Sequence, residues 1–177
     1  LLPDARGYEP QALALAAGVF ASLFPDAPLQ LDPSPRPLPM PARFEILTAP
    51  DGGAVVVDGA HTEQSLAAVA TEFRRRWPGR RAAVLFASAA DKRWREGLSS
   101  LLPIADTFVA TGLSGTVGED PARIADWLAT QGRSCAVTND VAAGLAALCA
   151  APPPRLCAGS FYLAGQVRQL LGQRAVP

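Results

Sequence analysis

Apolar residues fall into short blocks along most of the chain, separated by polar stretches that contain glycine or proline. The first two blocks, 43–47 and 54–59, are joined by Pro50-Asp51-Gly52-Gly53, which favours a tight turn between two strands. From residue 54 onward, each apolar block is followed by a helical pattern of apolar positions. The predicted strands are 54–59, 82–88, 106–112, 134–138 and 155–159, and the predicted helices are 62–77, 92–102, 121–131, 140–150 and 160–172.

The predicted strands are apolar throughout, with no alternation of apolar and polar residues. Such strands are covered on both faces, which is typical of a parallel sheet between two layers of helices. We therefore predict an α/β fold with a mostly parallel sheet of about six strands and helices on both faces. Ligands bind beyond the carboxyl ends of the strands in such sheets, so we expect the functional loops to follow these ends.

The first 40 residues differ from the rest of the chain. Residues 9–24 have an apolar helical pattern, and the segment from Pro25 to Pro41 is dense in proline, which breaks regular structure. We predict a boundary near residue 40 and an α/β domain over 41–177. The chain starts at Leu1 rather than Met, so we expect it to be a piece of a longer protein.

Composition excludes several classes of function. The 177 residues carry no net charge, whereas a general nucleic-acid binder needs a basic excess. No apolar run approaches the ~20 residues of a membrane span, and the start of the chain has no signal-peptide pattern. The cysteines Cys135, Cys149 and Cys157 form no CxxC pair, so we predict free thiols in a reducing, cytoplasmic setting.

Asp58-Gly59-Ala60-His61 follows the strand 54–57. An acid at a strand tip accepts hydrogen bonds from a ribose or an ammonium group, and Gly59 lets a ligand approach the backbone. His61, the single histidine, precedes a predicted helix, whose N-terminus favours anions. The alternative is an Asx turn and a helix cap beside a surface histidine.

Three more candidates lie at strand ends. Asp91-Lys92 includes the only lysine, which could neutralise a phosphate or carboxylate, but it could equally be a solvated pair with Asp91 as N-cap. Gly159-Ser160 offers backbone N–H groups to an anion, or simply caps a helix. Arg43 could fork onto a phosphate or pair with a surface acid. For Phe161 and Tyr162 the alternative is a position in the core, and Asn139 is a candidate for the N-cap of the helix 140–150.

Several familiar sites are missing from the sequence. There is no G-x-x-x-x-G-K-[ST] phosphate loop and no G-x-G-x-x-G dinucleotide fingerprint. One histidine and three scattered cysteines do not form a zinc-ligand cluster, so we predict no metal site in this chain.

Four short motifs occur in a distinctive order: P-x-R-F-E at 41–45, V-D-G-A-H at 57–61, D-K at 91–92 and G-S-x-Y-L at 159–163. In this order they resemble the C-terminal domain of folylpolyglutamate synthases and dihydrofolate synthases, members of the Mur ligase superfamily. The resemblance covers about 41–172. Residues 1–40 resemble, more loosely, the last helix and exit linker of the central ATPase domain of that family.

The resemblance implies an ATP-dependent ligase that joins the γ-carboxylate of a folate to the amino group of L-glutamate through an acyl phosphate. It implies ATP and magnesium as cofactors, with the magnesium ligands in a preceding P-loop domain, and a monomer. The implied nucleotide contacts are Arg43 at phosphate, Asp58 at the nucleoside, Gly59, and His61 near the reacting centre. The implied contacts with glutamate or phosphate are Asp91, Lys92 and Ser160, and the implied catalytic residues are His61 and Lys92.

The sequence departs from the family pattern at four places. Ala42 stands where the family has glycine, Thr62-Glu63 where it has Asn-Pro, and Arg93 where it often has an acid. Residues 9–11 offer no asparagine to contact adenine. These departures leave two alternatives open: a non-catalytic binding module with the same fold, or another Mur-type amino-acid ligase. A generic nucleotide-binding domain such as a dehydrogenase half is disfavoured, because the glycine fingerprint is missing.

Overall fold

The computed structural model describes residues 9–27 and 40–172. The chain divides into two compact units, Leu1–Pro39 and Met40–Pro177. In the first unit, helix α1 spans Glu9–Leu23, within the helix predicted at 9–24. Two parts of the first 40 residues lie outside the described residues. They are most of the predicted proline-rich linker and the side chains of 9–11, where the sequence offers no asparagine for adenine.

The second unit alternates strands and helices. Its strands are β1 (Glu45–Thr48), β2 (Ala54–Val57), β3 (Ala82–Phe86), β4 (Ala105–Thr111), β5 (Cys135–Thr138) and β6 (Arg155–Ala158). Its helices are α2 (Glu63–Arg76), α3 (Trp94–Ser99), α4 (Pro121–Thr130), α5 (Val141–Ala150) and α6 (Phe161–Leu170), with a 3-10 turn at Leu102–Ile104.

The strands form one six-stranded sheet in the order β1-β2-β6-β3-β4-β5. All neighbouring pairs are parallel except β1 and β2, which form the predicted antiparallel hairpin with Thr48 opposite Ala54. Helices cover both faces, so the predicted α/β fold is confirmed. Because β6 lies between β2 and β3, the loop after β6 lies between the loops that follow β2 and β3.

Alternate side chains of each central strand face two separate cores. One core joins Val84 and Phe86 of β3 to the apolar faces of α2, α3 and α4, including Phe73 and Leu98. The other core joins Leu85 to α5 and α6. Strand β5 is an exception to the prediction of full coverage, because it is an edge strand and half of Val137 is exposed.

Local capping explains most helix boundaries. Thr62 caps α2 through a capping box with Ser65, which gives a structural reason for a threonine at this position. Asp140 caps α5 by accepting from the Ala143 N–H, so the prediction of Asn139 as N-cap is wrong by one residue. The helix predicted at 92–102 is also too long: α3 ends at Ser99, before the 3-10 turn that contains Pro103.

Candidate functional site

The carboxyl edge of the sheet gathers most of the predicted site residues. Strand β1 runs antiparallel to β2, so the start of β1 lies beside the end of β2. This places Arg43, just before β1, next to the Asp58–His61 loop. The end of β6 pairs with β2 on the other side and brings Ser160 and Phe161 to the same edge.

Asp58 is fully buried at this edge, with 0% of its surface exposed. One carboxylate oxygen accepts a hydrogen bond from the Phe44 N–H at 2.7 Å, and the other accepts from the Ala60 N–H at 2.7 Å. The second bond is the Asx turn considered from the sequence. Asp58 therefore ties the start of β1 to the loop after β2, and Gly59 N–H adds a bond to the Ala42 carbonyl at 2.9 Å.

The backbone on both sides of Arg43 is strained. Ala42 has φ of 56° and Phe44 has φ of 46°, values that side-chain-bearing residues adopt at a cost. Glu45 accepts from the Ala42 N–H at 2.9 Å and, with the same oxygen, from Arg168 of α6 at 2.8 Å. The left-handed conformation at Ala42 is one that glycine adopts without strain. Buried polar partners thus hold the segment that carries Arg43.

Arg43 and His61 meet around one aromatic ring. The Arg43 guanidinium carbon lies 4.6 Å from the centre of the Phe161 ring, and the His61 ring centre lies 5.7 Å from it. The His61 Nδ1 lies 3.0 Å from the Gly59 carbonyl oxygen. Since a carbonyl only accepts, Nδ1 carries the proton, which leaves Nε2 for a ligand.

Phe161 and Tyr162 are exposed, at 44% and 54% of their surface, so their interpretation as core residues is wrong. Their place at the first turn of α6, beyond the end of β6, explains the exposure. Sequence reasoning did not include Phe161 in the site. The available signal was its position directly after the predicted strand-end pair Gly159-Ser160.

Gly159 and Ser160 form a tight connection between β6 and α6. Gly159 has φ of 114°, and a Cβ there would lie 2.4 Å from the Ala87 carbonyl oxygen, so only glycine fits. Its N–H donates to the Ala60 carbonyl at 2.8 Å. The Ser160 hydroxyl accepts from the Tyr162 N–H at 3.1 Å, and its residue is only 5% exposed. The capping contact considered for Ser160 is therefore present.

Asp91 and Lys92 lie at the end of β3, two strands along the sheet from the end of β2. They form an exposed ion pair at 3.1 Å. The N-cap position of α3 is Arg93, so the alternative of Asp91 as cap is wrong. The structure thus places Asp91-Lys92 at the same edge, but apart from the ring shared by Arg43 and His61.

Backbone contacts join the loops after β3 and β4. Ala89 and Gly118 form an isolated bridge, and Glu119 N–H donates to the Ser88 carbonyl at 2.8 Å. The Glu119 carboxylate is buried and accepts from the Trp94 indole N–H at 2.7 Å. Sequence reasoning missed Glu119, because its partner lies 25 residues away.

Residues 9–27 and 40–172, which the structure describes, contain no group of three or more His, Cys, Asp or Glu side chains able to hold a metal ion. Cys135, Cys149 and Cys157 are free thiols. Burial raises the pKa of the Cys135 thiol to about 11, and burial also raises the pKa of Cys157. Over the same described ranges, no helix has the length and hydropathy to cross a bilayer.

The model of the Mur ligase, glutamate ligase domain family matches residues 42–158. No curated protein matches the sequence. Among solved structures, the folylpolyglutamate synthase of Mycobacterium tuberculosis complexed with ADP and AMPPCP superposes with a TM-score of 0.79, at 22% identity, over 97% of this chain and 42% of that chain.

Two further solved structures share the fold. The bifunctional folylpolyglutamate synthase/dihydrofolate synthase of Yersinia pestis, complexed with AMPPNP and a Mn ion, gives a TM-score of 0.73 at 22% identity over 94% of this chain and 40% of that chain. The Helicobacter pylori folylpolyglutamate synthetase gives 0.68 at 20% identity over 92% and 39%. The chain thus spans about two fifths of the length of the solved proteins it resembles.

Proposed function

This chain belongs to the family of the Mur ligase glutamate ligase domain, and we propose that it serves an ATP-dependent ligase that adds glutamate to folate. The solved proteins with this fold include synthases complexed with ADP, AMPPCP or AMPPNP. The chain spans about two fifths of those proteins, so the activity belongs to a longer protein in this proposal. Dihydrofolate synthesis, which the name of the Yersinia pestis protein includes, is the second activity to assay in that longer protein.

One observation carries the proposal: Arg43 and His61 contact the same ring at the carboxyl edge of the sheet, above the buried Asp58. This is the edge where parallel α/β sheets bind ligands. An arginine and an imidazole that contact the same ring suit an anion with several oxygens, such as the phosphates of ATP.

The reaction that we propose has two steps. The γ-phosphoryl group of ATP passes to the folate carboxylate and gives an acyl phosphate and ADP. The amino group of glutamate then attacks the acyl carbon, an amide forms, and inorganic phosphate leaves with the bond electrons. Negative charge shifts among phosphate oxygens in both steps, and fixed cations stabilise such charge best where water is excluded.

In this scheme Arg43 holds a phosphate of the nucleotide. His61 contributes Nε2 near the reacting centre, because Nδ1 is committed to the Gly59 carbonyl. Asp58 orients the part of the site that binds the nucleoside. It accepts hydrogen bonds from two backbone N–H groups, and these hold the segments that carry Arg43 and His61. Gly59 completes the nucleotide-binding loop.

Lys92 and Asp91 provide the second part of the site. The Lys92 ammonium would neutralise a carboxylate of glutamate or a phosphate oxygen, and Asp91 would receive the glutamate ammonium group. Ser160 would present its hydroxyl at the junction of β6 and α6. The ion pair of Asp91 and Lys92 is exposed, so we expect a second domain to close over it and exclude water.

We propose that a P-loop ATPase domain of the same protein supplies the rest of the nucleotide site, including the magnesium ligands. The described residues contain no cluster of His, Cys, Asp or Glu able to hold a metal ion, and the proposal assigns the magnesium ligands to that other domain. The free cysteines are consistent with a reducing, cytoplasmic location, and we expect the protein to act as a monomer.

The test is ATP-dependent addition of glutamate to a reduced folate by the full-length protein. His61→Ala should lower turnover at least ~100-fold while the fold remains intact by circular dichroism. Gln64→Ala, an exposed position on the first turn of α2, is the matched control and should keep full activity.

Two results would contradict the proposal at different levels. Unchanged turnover in His61→Ala would remove His61 from the mechanism and leave the ligase assignment standing. A wild-type protein that consumes ATP with another amino acid, and not with glutamate and folate, would instead favour another Mur-type ligase. A protein that neither consumes ATP nor forms an amide would favour the non-catalytic module.

A further inference from the structure

Phe161 has a position that core packing does not explain. It is the first residue of α6, and 44% of its surface is exposed, although a large aromatic side chain is usually buried. An exposed phenylalanine at the carboxyl edge of a parallel sheet therefore calls for another reason.

The reason lies in the contacts of its ring. The Arg43 guanidinium lies over the ring at 4.6 Å from the centroid, within the range of a cation–π interaction. The His61 ring lies 5.7 Å away at an interplanar angle of 60°. The ring of Phe161 thus touches side chains from the start of β1 and from the end of β2, although it belongs to a third element, α6.

Gly59 gives independent support for a fixed ring position. A Cβ on Gly59 would lie 2.3 Å from two carbon atoms of the Phe161 ring, so any side chain at 59 would displace the ring. Gly59 therefore has two roles: it lets a ligand approach the backbone, and it makes room for the Phe161 ring. The loop after β2 leaves open the space that the Phe161 ring occupies.

The backbone that carries Arg43 is held by Asp58 and Glu45, which accept from the N–H groups of Phe44 and Ala42. These bonds fix the Cα of Arg43 but leave a long side chain with several rotatable bonds. The guanidinium at the end of this side chain lies over the Phe161 ring, so the ring is placed to set its direction.

We propose that Phe161 is a positioning residue whose ring sets the separation of Arg43 and His61, so that both side chains reach the same polyphosphate. The proposal rests on the proposed function for its kinetic consequence, but its geometric content does not. Small misplacements of catalytic groups lower rates strongly, so loss of the ring should affect turnover far more than folding.

The geometric test uses NMR of the 177-residue chain, in which His61 is the only histidine and gives one set of imidazole signals. Phe161→Leu should move the His61 carbon-bound proton signals and the Arg43 Nε–H signal, because the ring current is lost. Phe161→Tyr should restore both, and Leu170→Ala, an exposed position on the same helix, should leave both unchanged. Unmoved signals in Phe161→Leu would overturn the proposal.

The second arm uses Gly59→Ala, which displaces the Phe161 ring while residue 161 stays phenylalanine, and should therefore also move the His61 and Arg43 signals from their wild-type positions. Inorganic tripolyphosphate is then titrated against each variant, with the His61 signals as the readout. Phe161→Leu and Gly59→Ala should bind at least ~5-fold more weakly than wild type. Equal affinity for all variants would show that the ring does not set the anion site.

The third arm measures ligase kinetics in the full-length protein. Phe161→Leu should lower kcat at least ~10-fold with a smaller change in KM for ATP, and Phe161→Tyr should recover most of the rate. If the NMR arm succeeds and no ligase activity exists in the wild type, the proposed function fails and the geometric role remains. If activity exists and Phe161→Leu turns over normally, the positioning role fails alone.

Discussion

Arg155 and Arg43 lie at opposite edges of the sheet and differ in burial and in the groups they contact. At the amino end, Arg155 is 2% exposed and donates to both Asp51 carboxylate oxygens, at 2.9 and 2.6 Å, and to the carbonyls of Ala151 and Cys149. At the carboxyl end, Arg43 is half-buried and lies over the ring of Phe161.

The different contacts of the two arginines indicate different roles, stability for Arg155 and function for Arg43. The guanidinium of Arg155 is surrounded by acceptors from the turn before β2 and from the end of α5, so it fastens the hairpin to the last strand. Ala42 and Phe44, on either side of Arg43, have strained backbone, and strain of this kind is concentrated at functional sites. We therefore expect substitutions at the amino end to change unfolding, and substitutions at the carboxyl end to change turnover.

The largest expected effect on stability is that of Arg155→Met. The change removes a buried cation and leaves the Ala151 and Cys149 carbonyls without a donor, at a cost of about 3 kcal/mol in the free energy of unfolding. Urea denaturation followed by circular dichroism measures this cost. Arg81→Met, an exposed arginine at the start of β3, is the matched control and should cost less than ~0.5 kcal/mol. Equal costs would contradict the contrast.

An intermediate effect is expected for Asp51→Asn, and it depends on pH. The Arg155 guanidinium, together with the Gly53 N–H, lowers the pKa of Asp51 from 3.8 to about 2. Since the folded pKa is depressed, the ion pair stabilises the fold above pH ~4, and this contribution is lost as pH falls toward 2. Asp51→Asn should therefore lower the Tm at pH 6 and show a smaller drop in Tm between pH 4 and pH 2.

The matched control for the acid experiment is Asp106→Asn, an exposed acid that lies 3.6 Å from Arg81 at the same end of the sheet. Its Tm should follow the wild-type curve at each pH. An Asp51→Asn curve parallel to the wild-type curve between pH 4 and pH 2 would show that this ion pair is not the source of the acid sensitivity.

The smallest expected effect on stability is that of Lys92→Met at the carboxyl edge. The ion pair of Lys92 and Asp91 is exposed, so its loss should change the free energy of unfolding by less than ~0.5 kcal/mol. The same change should raise the KM for glutamate in the full-length protein at least ~10-fold, because a carboxylate loses its cation. Arg93→Met, one residue along, is the control for general loss of charge; an equal KM change in both variants would contradict a specific role.

The sequence was sufficient for the order of elements and for the candidate loops. Apolar blocks with no alternation predicted a parallel sheet, and the central strands β2, β3 and β6 are indeed buried on both faces. The prediction was less accurate where local signals compete. Asp140, rather than Asn139, caps α5. Helix α3 ends at Ser99, before the 3-10 turn that contains Pro103.

The sequence did not reveal which residues support the site. Arg155 and Asp51 lie 104 residues apart, and Trp94 and Glu119 lie 25 apart, so no local pattern connects them. A core position is the alternative that the sequence offers for Phe161, whereas the structure exposes 44% of its surface. Its exposure follows from its place at the first turn of α6, and the strand order brings that turn beside the loop after β2.

By itself, the sequence determined the alternation of strands and helices, the positions of the polar loops at strand ends, and the order of motifs that resembles one ligase family. These features are local, because hydrophobic period and turn residues act over a few neighbours. Only the tertiary structure decided that the antiparallel β1 brings Arg43 beside Asp58, that the Phe161 ring contacts both Arg43 and His61, and that Arg155 joins the hairpin to β6 at the opposite edge. Those contacts depend on strand order and on pairing between distant segments, which no local spacing encodes.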